Sequence, residues 1–233
     1  MKQIALLTVC TDNYPMVYAN KIIRRFTKLT DYHVESYCIT DRPDELDTTT
    51  IAIEPPFGKG YGWWNKMKAY SLDIPQQYVL YLDIDNVLQR NFDEEIDYSI
   101  QQLKNGYDVA CVSDAIMWKN NKYSSSMMIL ETGKMQDVWD NFARRPQFDF
   151  DGGDQVYTGH LIQQLGKKVF YIDETFANLK LNLKFHLSNK VLGQWKFPSY
   201  VPPKCKIVDC GGRPKPHELG NLKYIKENWH DVE

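Results

Sequence analysis

The chain has 233 residues, of which 43% are hydrophobic and 13% aromatic, and its formal net charge is -2. This length and composition exclude a disordered chain and predict one sizeable domain. The near-neutral charge excludes the basic field typical of nucleic-acid-binding proteins, and no apolar stretch approaches the roughly 18 residues that a transmembrane helix needs. The opening sequence MKQIALLTVC has no cleavable signal pattern, so we expect a soluble cytoplasmic protein.

The first part of the sequence alternates apolar runs with helical patterns. Ile4–Val9 is a compact apolar run, which predicts a buried strand that ends in a polar loop. Tyr14–Leu29 places apolar residues at helical spacing, and Pro15 suits the first turn of a helix. The further elements predicted here are the strands His33–Ile39, Ile51–Ile53 and Tyr78–Leu82, and a helix over Trp63–Leu72.

The glycine-rich stretch GKGYG, Gly58–Gly62, separates the third predicted strand from the helix that follows. It lacks the lysine and hydroxyl ending of a phosphate-binding P-loop, so we interpret it as a loop that closes over a site. The aromatic residues at this junction, Tyr61, Trp63 and Trp64, are expected in the core. The alternative is stacking on a sugar or a base.

The same alternation continues to the C-terminal third, where several prolines exclude long elements and predict a structured loop folded over the sheet. Strands that alternate with helices predict a layered α/β domain with a mostly parallel, Rossmann-like sheet flanked by helices. We see no linker, so residues 1–233 are expected to form a single domain. The predicted elements are the helices Glu94–Lys104, Lys134–Phe142 and Asp154–Leu165, and the strands Asp108–Val112, Met127–Leu130, Lys168–Ile172 and Lys206–Asp209.

The five cysteines lie mostly in apolar, strand-like segments and are odd in number, so we interpret them as structural thiols. Cys205 and Cys210 have no second pair of cysteines or histidines at zinc-ligand spacing. A zinc site is therefore not expected.

Two carboxylates, Asp83 and Asp85, end the apolar run VLYLDIDNVL. If the chain stays extended there, both side chains face the same side of the sheet. Burying two like charges together costs several kcal/mol and raises the pKa of each carboxyl, and a divalent cation removes both costs. Ligands of open α/β sheets bind at the carboxyl ends of strands, where Asp83 falls.

Three interpretations of this pair are open. In a haloacid-dehalogenase-type phosphatase the first aspartate is the nucleophile, but that family needs a second downstream carboxylate where this chain has Thr158. In a structural interpretation, the two aspartates bind backbone amides or cap the helix that starts near Asn91. In a metal-assisted glycosyl transfer, they hold an ion that neutralises the leaving diphosphate of a sugar nucleotide.

Four segments in order support the third interpretation. The stretch WWNKMKAYSLDIPQQYVLYLDIDNVLQRNFDE resembles the helix, strand and Asp-x-Asp of GT-A-fold glycosyltransferases of the glycogenin and lipopolysaccharide-galactosyltransferase group. YSSSMMIL, GGDQVYTGHL and IVDCGGRPKPHE resemble the strand entry, the Asp-Gln segment and the closing loop of the same group. The resemblance implies a single GT-A-type domain with a donor half, residues 1–90, and an acceptor half with the closing loop, residues 91–233.

The resemblance also implies roles for individual residues. Asp83 and Asp85 would bind Mn(II) or Mg(II), and Asp83 would also bind the donor ribose. Asp154 and Gln155 would lie beside the transferred sugar as the catalytic pair. The remaining donor-binding residues implied are Thr8, Thr11, Asn13, Tyr14 and Asp41 for the nucleoside, and Lys66, Gly212 and Lys215 for the diphosphate.

The sequence departs from the group at three places. Where the closing loop supplies a metal-binding histidine, this chain has Asp209 or Cys210, with His217 nearby, and Asp209 is the predicted third ligand. Ser124, Ser125 and Ser126 replace an Asn-Ser-Gly segment, and Thr158 and Gly159 replace an asparagine. These changes leave the donor sugar open.

We therefore expect a metal-dependent enzyme that transfers a hexose from a nucleoside-diphosphate sugar, a UDP-sugar, to a hydroxyl group of a saccharide or other acceptor. The resemblance implies retention of the anomeric configuration; an inverting enzyme would need Asp154 or Asp114 as its base. The alternatives are a sugar-nucleotide-binding module without turnover and the phosphatase.

Overall fold

The computed structural model describes residues 2–12, 14–114, 121–183, 201–211 and 215–230. Within these residues, seven strands form a central sheet and three short strands form a second sheet. The strands are β1 (Gln3–Val9), β2 (His33–Ile39), β3 (Thr50–Ile53), β4 (Tyr78–Leu82), β5 (Asn86–Leu88), β6 (Val109–Ser113), β7 (Tyr123–Glu131), β8 (Val169–Tyr171), β9 (Lys180–Asn182) and β10 (Ile207–Asp209).

Helices connect and cover these strands, and most lie where the apolar spacing predicts them. The helix predicted over Trp63–Leu72 forms as a 3₁₀ helix over Gly62–Ser71. Further 3₁₀ turns span Pro43–Glu45 and Pro216–Leu219, and Lys226–His230 form a π-helical turn. The α-helices are α1 (Val17–Leu29), α2 (Asp93–Lys104), α3 (Gln136–Arg144), α4 (Gly153–Gln164), α5 (Ile172–Thr175) and α6 (Lys223–Ile225).

The central sheet has the order β3-β2-β1-β4-β7-β6-β8. Strands β3, β2, β1 and β4 are parallel, whereas β7 is antiparallel to both β4 and β6. The chain grows outward from β1 through β2 and β3, and then returns to place β4 on the other side of β1. The strand order therefore reverses between β1 and β4, and such a reversal opens a crevice at the carboxyl ends of the two strands.

Apolar side chains fill both faces of this sheet. One cluster packs α1 and α2 against one face, and it includes Ile22, Phe26 and Ile96. The other packs the 3₁₀ helix, α3 and α4 against the opposite face, and it includes Trp64 and Phe142. The predicted α/β domain with a mostly parallel sheet flanked by helices is confirmed.

The second sheet has the order β5-β10-β9 and was predicted only in part. Of its strands, the sequence indicated β10 but not β5 or β9, which are three residues long. Strand β5 follows directly after the Asp83–Asp85 pair, because the chain turns there: the backbone N–H of Asn86 donates to the carbonyl of Asp83 at 3.1 Å. The assumption that this stretch stays extended is wrong.

Two smaller expectations also differ from the structure. The strand predicted over Lys168–Ile172 is shorter, because Ile172 begins α5. Tyr61 and Trp63 are exposed, so of the three aromatic residues at the glycine-rich loop only Trp64 lies in the core.

Across the described ranges, no helix combines the length and apolar character that crossing a membrane requires.

Candidate functional site

A cavity of about 590 Å³ lies where the strand order reverses. Val9 and Thr11 reach it from the end of β1, and Asp83 and Asp85 from the end of β4. Helix α4 contributes Asp154 and Gln155. The other lining residues are Tyr14, Gly62, Trp63, Lys66, Tyr81, Ile84, Asp114, Ser125, Gly152, Val156, Gly211 and Lys215.

Asp83 is held by its neighbours on the sheet face. The Tyr81 hydroxyl donates to the Asp83 Oδ1 atom at 2.6 Å, and the Asp83 backbone N–H donates to the Ser126 carbonyl at 2.9 Å. Lys66 Nζ lies 3.0 Å from the same carboxylate. The carboxylate thus faces the cavity and does not cap a helix.

Lys66 joins two carboxylates inside the protein. Its ammonium lies 3.2 Å from Asp154 Oδ2 and donates to Ser125 Oγ at 3.0 Å, and the residue is only 5% exposed. Burial by itself would lower the pKa of Lys66, but Asp154 and Asp83 raise it well above its ordinary value. Burial raises the pKa of Asp154, and Lys66 opposes that rise. Lys66 therefore stays cationic.

Asp85 is buried and pairs with the closing loop. Lys215 Nζ lies 2.5 Å from its Oδ2 atom and also lies over the Tyr14 ring, 5.2 Å from the ring centroid. Burial raises the pKa of Asp85; Lys215 opposes the rise, whereas Asp83 and Asp209 add to it. A carboxylate in this position is stabilised by additional positive charge.

Asp209 lies behind this pair at the end of β10. Lys180 Nζ is 2.6 Å from Asp209 Oδ2 and donates to Ser126 Oγ at 2.7 Å, while the Gly211 N–H donates to Asp209 Oδ1 at 2.7 Å. Burial would raise the pKa of Asp209, but Lys180 and the Gly211 N–H hold it below its ordinary value. The carboxylate is thus ionised and already paired with a buried lysine.

The donor atoms of the cavity suit Mg(II) or Mn(II). Both ions prefer carboxylate oxygens, and Mg(II) is commonly bound by one or two carboxylates plus substrate phosphates. Asp83 and Asp85 supply two such carboxylates in one cavity. In the part of the chain that the structure describes, no group of three or more His, Cys, Asp or Glu residues is placed to hold an ion. The two carboxylates could supply part of the coordination shell of such an ion.

The three candidates for a third metal ligand have different surroundings. Asp209 is paired with Lys180, as described above. Burial raises the pKa of the Cys210 thiol well above its ordinary value. The Nδ1 atom of His217 shares a hydrogen bond with the Tyr18 hydroxyl. The third ligand remains a prediction.

The predicted nucleoside-binding residues are divided among several places. Thr11 and Tyr14 line the cavity, whereas Thr8 is fully buried within β1. Asp41 lines a separate cavity of about 420 Å³ at the ends of β2 and β3. Asn13 and Gly212 lie outside the described residues.

The predicted catalytic pair lies at the start of α4, where Gly152 adopts a φ of 101°. Gln155 Nε2 donates to Asp114 Oδ2 at 2.9 Å, so Asp114 at the end of β6 orients the amide. Thr158 is buried and its hydroxyl contacts Met67 Sδ at 3.2 Å, which places it in the core and not at the site.

Sequence reasoning missed Tyr81, Lys180 and Asp12, whose carboxylate accepts hydrogen bonds from the N–H groups of Gly60 and Gly62. Tyr81 precedes Asp83 by two residues on an extended run, and this spacing could have indicated that the two share a face. No sequence pattern indicated the role of Lys180, because its partner Asp209 is distant in sequence. The strands that carry them, β9 and β10, have only three residues each.

The reversed strand order, the cavity at the reversal and its paired aspartates define a GT-A-like glycosyltransferase fold, and solved structures confirm this resemblance. The bifunctional glycosyltransferase WbbM matches with a TM-score of 0.66 and 11% identity over 99% of this chain. The galactosyltransferase LgtC, solved with donor and acceptor sugar analogues, matches with a TM-score of 0.59 and 12% identity over 96% of this chain and 93% of its own. GlyE of Streptococcus pneumoniae matches with a TM-score of 0.61 and 14% identity over 94% of this chain.

This chain spans about half of WbbM and 57% of GlyE. No protein-family model matches the sequence, and no curated protein matches it. At these identities the comparisons establish the fold that this chain shares with glycosyltransferases.

Proposed function

We propose that the protein is a retaining, metal-dependent hexosyltransferase that uses a UDP-sugar as donor and a saccharide or other hydroxyl compound as acceptor. The observation that carries the proposal is the cavity at the strand-order reversal, where Asp83, Asp85 and two lysines meet within a glycosyltransferase fold.

Charge complementarity supports a diphosphate in this cavity. Lys66 and Lys215 present ammonium groups, which attract phosphate oxygens, and Asp83 and Asp85 would hold Mn(II) or Mg(II). When bound, the ion supplies positive charge that stabilises the departing diphosphate. Lys215 pairs directly with Asp85, so its ammonium lies in the part of the cavity that the ion and the diphosphate would share.

The contacts of Asp154 and Gln155 favour retention over inversion. An inverting enzyme needs a carboxylate that can accept the acceptor's proton. Asp154 is instead committed to Lys66 and Ser125, and Asp114 accepts a hydrogen bond from Gln155. Gln155 presents a neutral amide to the cavity, where it can bind a sugar hydroxyl and orient the transferred ring.

The direct test is UDP release from a panel of UDP-sugars, with Mn(II) present and a range of saccharide acceptors. Replacing Asp85 by Asn removes one negative charge from the proposed ion site, so we expect turnover to fall at least about a hundredfold. Chelation of the metal should have a similar effect, and adding Mn(II) back should restore turnover.

A matched control is Asp97→Asn, because this carboxylate pairs with Lys2 at the surface, away from the cavity. Asp97→Asn should retain wild-type turnover. Full metal-dependent transfer by Asp85→Asn would refute the proposed site. Donor binding without turnover across the panel would favour a binding module, and a phosphoenzyme on Asp83 would favour the phosphatase.

A further inference from the structure

Trp63 is exposed at the cavity, although its neighbour in sequence is buried. It lines the cavity with 57% of its surface exposed, the largest value among the large apolar side chains of the described residues. Trp64 points into the core, where its ring stacks on Phe142 at 5.4 Å with an interplanar angle of 4°. Trp64 therefore packs in the core. Core packing does not account for the exposed tryptophan at position 63.

The backbone that carries Trp63 is fixed from one side. Gly62 N–H donates to Asp12 Oδ2 at 2.8 Å, and the Gly60 N–H donates to the other oxygen of the same carboxylate. The Thr11 hydroxyl donates to the Gly62 carbonyl at 3.3 Å. Three hydrogen bonds with the end of β1 thus hold the residues directly before Trp63, so the protein itself positions the main chain there.

The indole lies near the start of α4. A Cβ atom placed on Gly153 would lie 3.5 Å from Trp63 Nε1, and Gly153 has a φ of 72°. The ring therefore lies beside the main chain of Gly153, which has no side chain. Gly153 follows Gly152 and precedes Gln155 by two residues. One edge of the indole thus lies beside this glycine, and much of the ring is accessible.

We propose that Trp63 is the stacking platform for the acceptor, and that the acceptor is a pyranoside; this inference rests on the proposed function. A pyranose ring has an apolar C–H face that suits an aromatic surface, and hydroxyl groups at its edge that suit polar neighbours. Gln155 and Asp114 supply such polar groups in the same cavity.

The position of Trp63 argues against a role in nucleotide binding. The diphosphate lysine Lys215 lies over Tyr14, which is the aromatic residue on that part of the cavity. The Trp63 indole instead lies near Gly153 at the start of α4, beside the residues proposed to face the transferred sugar. An acceptor held there would approach the sugar from the α4 side.

The test measures binding and not turnover, so it separates this inference from the proposed transfer. The chain has six tryptophans, and each gives an indole N–H signal in the ¹⁵N–¹H spectrum of the labelled protein. The Trp63 signal is the one absent in Trp63→Phe. With UDP and Mn(II) present, we titrate methyl β-glucoside, methyl β-galactoside and methyl N-acetyl-β-glucosaminide.

We expect at least one of these pyranosides to shift the Trp63 signal. Trp63→Ala should weaken its affinity at least about fivefold, whereas Trp63→Phe, which keeps an aromatic face, should stay within about twofold of the wild type. UDP affinity should be unchanged in both variants. Tyr98→Ala, which removes an exposed ring on α2, should leave pyranoside binding unchanged.

Two results would overturn the inference. If none of the three pyranosides shifts the Trp63 signal, the ring is not an acceptor platform for this class. If UDP alone shifts the signal and Trp63→Ala weakens UDP binding, Trp63 belongs to the nucleotide site. Absence of UDP release from every donor would instead refute the proposed transfer, and it would leave the pyranoside titration interpretable.

Discussion

At the residue scale, Lys66 neutralises the negative charges of Asp83 and Asp154 at the cavity and thereby stabilises the fold. Its ammonium lies between Asp83 and Asp154, and all three side chains are largely removed from water. Each carboxylate also contributes to the high pKa of Lys66. Without this cation, the negative charges of Asp83 and Asp154 would repel each other where little water can screen them.

We expect Lys66→Met to lower the free energy of unfolding by about 3 kcal/mol near neutral pH, because it leaves the buried Asp154 and the partly buried Asp83 without their partner. Urea unfolding followed by circular dichroism measures this change. The double variant Lys66→Met/Asp154→Asn removes one of the stranded charges and should recover part of the loss. A loss below about 1 kcal/mol would show that solvent screens these charges.

At the element scale, Thr11 and Asp12 attach the glycine-rich loop Gly58–Gly62 to the end of β1, and Asp12 makes two of the three hydrogen bonds. Asp12 has a φ of 59°, a conformation that aspartate and asparagine tolerate better than other residues with a side chain. Its carboxylate accepts hydrogen bonds from the N–H groups of Gly60 and Gly62. Within this loop, Gly58, Gly60 and Gly62 all have positive φ.

We expect Asp12→Ala to release this loop, because alanine removes both acceptors and disfavours the left-handed conformation. Lys59 is exposed within the loop, so trypsin should cleave after Lys59 several times faster in the variant than in the wild type. Asp12→Asn keeps the conformation and one acceptor oxygen but loses the other, so its cleavage rate should lie between those of Asp12→Ala and the wild type. Equal cleavage rates in Asp12→Ala and wild type would show that Asp12 does not hold the loop.

The elements also show why sequence reasoning found the long strands but missed β5 and β9. The bounds predicted for His33–Ile39 and Tyr78–Leu82 match the structure. Tyr78–Leu82 is a uniform apolar run, and such runs are typical of strands that are buried on both faces. Strands β5 and β9 have only three residues each and pair with β10, which is distant in sequence. A pattern that short carries no period from which a strand could be predicted.

At the scale of the whole molecule, the buried thiols make the free energy of unfolding sensitive to pH in the alkaline range. Burial raises the pKa of Cys10 to about 12, and those of Cys38 and Cys205 to about 11, from an ordinary value of 9.0. Burial also raises the pKa of Cys111 and Cys210. All five cysteines are free and buried, which agrees with their interpretation as structural thiols.

We expect the free energy of unfolding to fall as pH rises above about 9, because the unfolded chain then releases thiol protons that the folded chain retains. The unfolded state binds fewer protons in this window, so the slope of stability with pH is negative. Each buried thiol should contribute about 1 kcal/mol of loss by about pH 10. Urea midpoints measured across this range provide the test.

The matched control is Cys10→Ala. This variant should show a smaller fall of the free energy of unfolding with pH, by the contribution of one thiol. A midpoint that stays constant between about pH 8 and about pH 10 would contradict the expectation. Alkylation of the native protein near neutral pH should be slow for the same reason, because the reactive species is the thiolate.

The sequence by itself determined the α/β class, the long strands and the two aspartates at the end of β4, because these follow from apolar periodicity and from the cost of burying charge. Only the tertiary structure decided which charges meet. Lys66 reaches both Asp83 and Asp154, Lys215 reaches Asp85, and Lys180 reaches Asp209 through pairings between distant segments. The exposure of Trp63 beside the buried Trp64 was likewise set by packing, because adjacent residues with the same side chain differ only in the surroundings that the fold gives them.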